Sequence, residues 1–277
     1  MRYRNFLKSR LIGDIPDDLP LPSGFHLVGH VALVRLDFDL MDYAEKIGIA
    51  TLEYDSRIRS VAVRIGPTKG RTRKPSYSIV AGDNNTITTH IENGVIFKLD
   101  PLCFTFSGGN RGERMRVAKL AKPGEKVVDM FSCVGQFALH IAKAANVKVT
   151  AIEINPEAFD FLLENIQLNR LAERVTPVLG DCREVHPIGD ANRVVMGFLH
   201  DTISYLPAAL ETLVDTGGII HMHLSIPESE TESAIVEIEK KCTDYGYQSD
   251  TELNKIKNYS PGIEHFVFDI FVNRNKA

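Results

Sequence analysis

The chain has 277 residues, 44% apolar and 25% charged, with a formal net charge of −4. That size and balance describe a globular protein, either one large domain or a catalytic domain with a smaller partner. No apolar run exceeds strand length, which excludes a membrane-spanning helix, so no membrane partner is expected.

The start, Met1-Arg2-Tyr3-Arg4-Asn5, lacks the apolar core of a signal peptide. Cys103, Cys133, Cys182 and Cys242 are scattered and form no CxxC pair, so no metal site and no disulfide framework is expected. Both features fit a reducing, cytoplasmic location. The charge is uneven. Residues 1–100 carry 14 Lys and Arg against 12 Asp and Glu, a balance of +2; residues 101–277 carry 18 against 24, a balance of −6. Residues 56–82 hold Arg57, Arg59, Arg64, Lys69, Arg71, Arg73 and Lys74 with no acid. Such a block is either a solvated loop or a surface that meets nucleic-acid phosphates and releases their counterions.

In chain order, the first hundred residues read as a small α+β domain, 1–100. Residues 25–37 alternate as one strand, 41–46 suit a short helix, and 60–65 are β-branched and strand-like. Residues 66–75, rich in Gly, Pro and basic side chains, predict a mobile loop. Residues 86–99 predict a hairpin, with Asn93-Gly94 supplying the positive φ angles of a tight turn. From about Glu125 strands alternate with helices: strands at 126–130, 148–152, 175–179, 193–196, 218–224 and 265–272, helices at 136–145, 156–169, 204–214 and 228–245. Asn155 is a good N-cap and Pro156 suits a first helical turn. The alternation predicts an α/β domain, 101–277, with a mainly parallel sheet covered on both faces.

In such a sheet ligands settle at the carboxyl ends of strands where the strand order reverses. The first strand runs into Asp129-Met130-Phe131-Ser132-Cys133-Val134-Gly135, and Gly135 allows close approach at a helix start. A GxGxxG fingerprint is absent, which favours a nucleoside without phosphates over a dinucleotide. Glu153, ending the second strand, is placed to accept both hydroxyls of a ribose; otherwise it is a carboxylate favoured by a helix dipole. Asp181, after the third strand, is placed to accept from the amine of adenine, with Cys182 offering its backbone amide; otherwise Gly180-Asp181 is a turn.

The stretch Phe104-Thr105-Phe106-Ser107-Gly108-Gly109-Asn110-Arg111-Gly112-Glu113-Arg114-Met115-Arg116, taken with 129–137 and the hairpin Thr89-His90-Ile91-Glu92-Asn93-Gly94, resembles a specific family over nearly the whole chain. These motifs are similar to those of the archaeal tRNA methyltransferases acting on guanosine 37 and their relatives, the wybutosine-synthesis aminocarboxypropyltransferases. After the fourth strand the methyltransferase branch carries Asn-Leu-Pro. This chain reads Val195-Met196-Gly197-Phe198-Leu199-His200-Asp201-Thr202, similar to the Met-Gly-aromatic-x-His-x-Thr pattern of the other branch. The segment Ile256-Lys257-Asn258-Tyr259-Ser260-Pro261-Gly262-Ile263-Glu264-His265 also resembles that branch.

The resemblance implies a class I methyltransferase-like Rossmann fold preceded by a small α+β domain that contacts tRNA. It implies transfer of the 3-amino-3-carboxypropyl group of S-adenosylmethionine to carbon 7 of 4-demethylwyosine in tRNA(Phe), near the anticodon, with no obligate protein partner. Carried over by position, Ser107, Arg114, Phe131, Glu153, Asp181 and Cys182 hold the cofactor. For Arg114 the alternative is a helix-surface arginine. Cys133 stands where relatives often have Gly, and Ile203 where a second His is common. The chain begins without the extra N-terminal domain of the larger methyltransferases, as this branch implies. His200 is either a base near the substrate or a structural histidine, and His221 and His223 alternate on a strand as structural residues rather than metal ligands. The catalytic base is not singled out. Guanosine-37 N1-methylation, an NAD-dependent dehydrogenase and a non-catalytic RNA-binding module are the rival readings.

Overall fold

The computed structural model describes residues 1–70 and 72–274, so Arg71 of the basic block lies outside the described residues. The chain divides into two compact units, 1–108 and 109–277.

The first unit opens with α1 (Tyr3–Arg10), whose Tyr3 and Leu7, four residues apart, share one buried face. The Tyr3 hydroxyl and Thr51 Oγ1 of α2 (Ala44–Tyr54) share a 2.7 Å hydrogen bond. Burial pushes that phenol up to about 12. Four strands form a sheet in the order β1 (His26–Val28), β2 (Val31–Val34), β3 (Ser60–Lys69), β4 (Lys74–Gly82). β2 and β3 are parallel, and α2 makes the crossover that parallel strands require.

The single strand expected over 25–37 is two antiparallel strands. Gly29, at φ +56°, turns the chain between them, and a side chain there would collide with Thr88 Oγ1. The loop expected over 66–75 is mostly strand, since the β3–β4 ladder runs out to the Lys69–Lys74 pair. Gly66 and Pro67 are accommodated at register shifts, where a bulge tolerates both residues. The hairpin expected over 86–99 forms as β5 (Thr88–Glu92) and β6 (Val95–Leu99), with Asn93 and Gly94 both at positive φ. Phe106 packs edge-on against Phe97 and His90, at ring separations of 5.3 and 5.1 Å. Residues 101–108 therefore group with the first unit rather than with the α/β unit.

The second unit carries α3 (Arg111–Leu120), β7 (Lys126–Asp129), α4 (Ala138–Ala144), β8 (Lys148–Glu153), α5 (Pro156–Leu168), β9 (Val175–Leu179) and α6 (Cys182–Val185). It continues with β10 (Arg193–Leu199), α7 (Leu206–Thr212), β11 (Gly217–Ile226), α8 (Thr231–Asp244), β12 (Tyr247–Ser260) and β13 (Ile263–Arg274). Its seven-stranded sheet has the order β12-β13-β11-β10-β7-β8-β9. The five strands from β11 to β9 are parallel, and β13 and β12 add antiparallel at one edge. This is the mainly parallel Rossmann-like sheet expected.

Two elements of this unit escape the sequence pattern. α3 buries Glu113 and Arg114 beside Val117 and Ala118, so no apolar stripe marks it. β12 is a polar edge strand, with charges where a buried strand has apolar residues. The core lies along Val128, Met196, Ile220, Met222, Phe268 and Ile270, all buried. Strand order reverses at β7, with β8 and β9 to one side and β10 and β11 to the other, so a crevice opens at the carboxyl ends of these strands. Among the described residues no helix is long and apolar enough to cross a membrane.

Candidate functional site

Asp129 ends β7 fully buried. Its Oδ1 accepts the Phe131 amide at 3.3 Å and its Oδ2 the Ala138 amide at 3.1 Å. One carboxyl thus fixes both ends of the loop between β7 and α4, while burial pushes it up to about 7. Gly135, at φ +95°, is required here, because a Cβ would sit 2.8 Å from Leu139 atoms. Cys133 also has positive φ, +50°, a conformation glycine takes freely and other residues adopt at a cost of about 1–3 kcal/mol. Burial pushes its thiol up to about 12, so it is an inert side chain rather than a nucleophile.

Glu153 lies at the end of β8, beside that loop. Its Oε2 accepts the Cys133 amide at 2.6 Å and its Oε1 the Asn155 amide at 2.7 Å. Burial raises its carboxyl above the usual range, against these amide bonds, which favour the charged form. Its two oxygens, held by backbone amides, suit two vicinal hydroxyls. Asn155 caps α5 by accepting the Glu157 amide at 3.0 Å, ahead of Pro156, as the sequence implied.

Asp181 caps the four-residue α6, accepting the Arg183 amide at 3.1 Å. Its carboxylate also pairs with the Arg183 guanidinium at 2.6 Å, which lies over the Tyr205 ring at 4.8 Å. Gly180-Asp181 is therefore a turn and cap, and it stands directly beside Glu153 through a 2.9 Å bond from the Gly180 amide to the Glu153 carbonyl. Cys182 is buried, its thiol pushed up to about 12 by desolvation.

Phe131 stacks on Phe198 with centroids 5.1 Å apart and planes at 16°, and Tyr205 meets it edge-on at 5.1 Å. Three rings, from just after β7, from β10 and from the 3-10 turn that follows it, thus form one aromatic wall. The chain leaves β10 through a register shift between Met196 and Leu199. Leu199 and Asp201 then both take positive φ, +80° and +52°. His200 between them is exposed; its Nδ1 lies 3.2 Å from Ser225 Oγ and its Nε2 3.3 Å from the Tyr259 hydroxyl.

Arg114 is fully buried on α3, with Nη1 donating to Gln136 Oε1 at 3.3 Å, so the reading as a helix-surface arginine is excluded. The structure thus gathers Arg114, Phe131, Glu153, Asp181 and Cys182 around the strand ends of the second unit. Ser107 lies half-buried in the first unit.

His221 and His223 belong to a buried polar chain that the sequence did not disclose. Arg193 meets Glu125 at 2.8 Å and His221 at 2.7 Å, and His221 meets Asp269 at 2.5 Å. Arg116 joins Asp269 to Glu113, and His223 pairs with His265 at 3.0 Å. Burial pulls His223 and His265 down, His265 to about 4, which keeps them neutral. No group of three or more His, Cys, Asp or Glu among the described residues is arranged to hold a metal ion. The only advance signal was the alternation of His221 and His223; their partners come from α3, β10 and β13, far away in sequence.

Of the basic block, Arg57 is held by Asp55 at 2.6 Å and Arg59 reaches His30 at 3.1 Å. Lys69 and Lys74 are exposed and paired across the β3–β4 ladder, and Arg73 turns the chain at φ +53°. Arg64, Lys69 and Lys74 lie on the β3–β4 strand pair, while Arg57, Arg59 and Arg73 lie outside it, before β3 and in the turn before β4.

Comparison with known proteins gives two family matches: a TYW2 N-terminal domain over residues 7–86 and a TRM5/TYW2 methyltransferase domain over residues 88–249. The chain is 38% identical to a tRNA(Phe) (4-demethylwyosine(37)-C(7)) aminocarboxypropyltransferase of Pyrococcus horikoshii, over 96% of each chain. It is 35% identical to the tRNA (guanine(37)-N(1))-methyltransferase Trm5b of Pyrococcus abyssi, over 95% of this chain and 80% of that one. The crystal structure of P. horikoshii TYW2 in complex with MeSAdo superimposes with a TM-score of 0.85 at 34% identity, covering 98% of this chain and 100% of that one. With both domains matched and strand ends built around Glu153 and Asp129, the chain belongs to the TRM5/TYW2 family.

Proposed function

We propose that this chain transfers the 3-amino-3-carboxypropyl group of S-adenosylmethionine to carbon 7 of 4-demethylwyosine at position 37 of tRNA(Phe), releasing methylthioadenosine. The observation that carries the reading is the turn after β10. Gly197, Phe198, Leu199 and His200 leave the sheet through a register shift and two positive-φ residues, in place of the Asn-Leu-Pro of the methylating branch. The relative named for this transfer aligns over nearly the whole chain.

The residues present fit the donor. Glu153 would accept the ribose hydroxyls, and the Cys133 and Asn155 amides hold it in place for this. Asp181 would accept from the adenine amine while keeping its Arg183 partner, and the Cys182 amide would meet a ring nitrogen. Phe131 would close the apolar side of the nucleoside, and Arg114 would hold the methionine carboxylate. The donor supplies a sulfonium with three carbons open to displacement. The protein decides among them by position, and a misplacement of about 1 Å can cost on the order of a hundredfold in rate.

The first unit, with the basic strand pair Lys69–Lys74, would contact the tRNA near its anticodon. A cytoplasmic site of action is consistent with four cysteines in the thiol form.

The second reading is N1-methylation of guanosine 37, favoured by the similarity to Trm5b. Incubation with tRNA bearing 4-demethylwyosine and doubly labelled donor separates the two. Label in the carboxypropyl chain is expected in the tRNA, with methyl label remaining in methylthioadenosine. Methyl label in tRNA overturns the proposal.

A further inference from the structure

Carbon–carbon bond formation at an aromatic ring leaves a proton to be removed, and His200 stands at the rim of the strand ends with a hydroxyl near each ring nitrogen. Ser225 Oγ lies 3.2 Å from both the Leu199 carbonyl and His200 Nδ1, and its single hydroxyl proton can serve only one of them. With that proton on the carbonyl, Oγ accepts from Nδ1–H and Nε2 faces the Tyr259 hydroxyl as an acceptor at 3.3 Å, with the rings edge-to-face at 5.6 Å. The three residues come from three elements: the turn after β10, β11 and the end of β12. Positive φ on both sides of His200 holds the ring out from the sheet, two residues beyond the Phe198–Phe131 stack.

We propose that the Tyr259 hydroxyl and His200 form the relay that removes the ring proton, with Ser225 as the residue positioning the imidazole; this rests on the transfer reading above. The ring C7–Cγ bond forms as the Cγ–S bond breaks, and sulfur keeps the electron pair. Tyr259 Oη takes the C7 proton as its own proton passes to His200 Nε2, restoring the aromatic ring. The imidazolium retains its Nδ1–H bond to Ser225 and returns its proton to solvent.

Three variants test it: His200→Asn, Tyr259→Phe and Ser225→Ala. All are expected to bind S-adenosylmethionine within about twofold of the parent, measured by calorimetry. In a single turnover, formation of the rearomatised tRNA product by the first two is expected to fall roughly a hundredfold, the low end of proton-transfer contributions. With tRNA deuterated at C7, the isotope effect is expected to rise in all three, because proton loss becomes the slow step. A purely structural role would weaken donor binding and leave the isotope effect unchanged. Parent-level turnover by His200→Asn or Tyr259→Phe, or a slow turnover with no rise in isotope effect, overturns the relay. A parent enzyme that releases no methylthioadenosine overturns the transfer reading itself, and the relay with it.

Discussion

The Cys133 amide donates to Oε2 of Glu153 at 2.6 Å, tying the end of β8 to the loop that follows its neighbour β7. The acid and the loop form one hydrogen-bonded unit, so a change at either is felt at the other.

Replacing Glu153 by Ala removes two acceptors held in place by backbone amides. Hydrogen bonds to a charged group contribute about 1.5–3 kcal/mol each. The affinity for S-adenosylmethionine is therefore expected to fall at least tenfold, with the circular dichroism spectrum unchanged. Calorimetry on the variant and the parent checks this, and equal affinities would remove Glu153 from the site.

Arg193, 1% exposed, meets Glu125, His221 and the Leu120 carbonyl. Removing one partner of a buried ion pair leaves the other charge uncompensated, at a cost of about 3–5 kcal/mol. Arg193→Ala is expected to lower unfolding stability by that amount in urea, far more than loss of an exposed pair such as Arg10–Glu53.

His265 is held near 4 by burial, below the ordinary 6.5. The unfolded chain therefore takes up a proton that the folded chain refuses as pH falls below about 6.5, and folding weakens until pH nears 4. Asp129, raised to about 7, shifts the opposite way, since its folded form binds a proton more readily than the unfolded one. The comparison of parent with His265→Gln cancels Asp129. Between pH 7 and 4 the variant is expected to gain on the parent by up to about 3 kcal/mol. Urea midpoints at several pH values check this; a constant difference would mean that His265 titrates normally.

Lys69, Arg73 and Lys74 lie at the end of the β3–β4 ladder. If they meet phosphates, replacing all three by Ala should reduce the log–log salt slope of tRNA binding by about 2–3 units. A slope equal to that of the parent would make this end of the ladder a solvated surface.

The β-α alternation from Lys126 to Asp244 was legible because its strands are short apolar runs bounded by polar turns and its longer helices carry an apolar stripe. The strand ends carrying Glu153 and Asp181 were legible for the same reason. The Asn155-Pro156 cap and the Asn93-Gly94 turn were legible because both depend on a few adjacent residues. Asp181, read as a candidate for adenine, also caps α6 and pairs with Arg183, a partner two residues away that spacing alone did not single out.

What local sequence determined is therefore the α/β pattern, the placement of acids at the ends of β8 and β9, and the family-like turn from Met196 to Thr202. What only the tertiary structure decided is where polar groups found partners. Arg114 and Glu113 are buried on a helix with no apolar stripe, β12 is polar because it is an edge strand, and His221 reaches Asp269 from 48 residues away. A buried charge is tolerated only where an opposite charge or hydrogen-bonding group meets it. Those partners, contributed by α3, β10, β11 and β13, come together only when the sheet assembles.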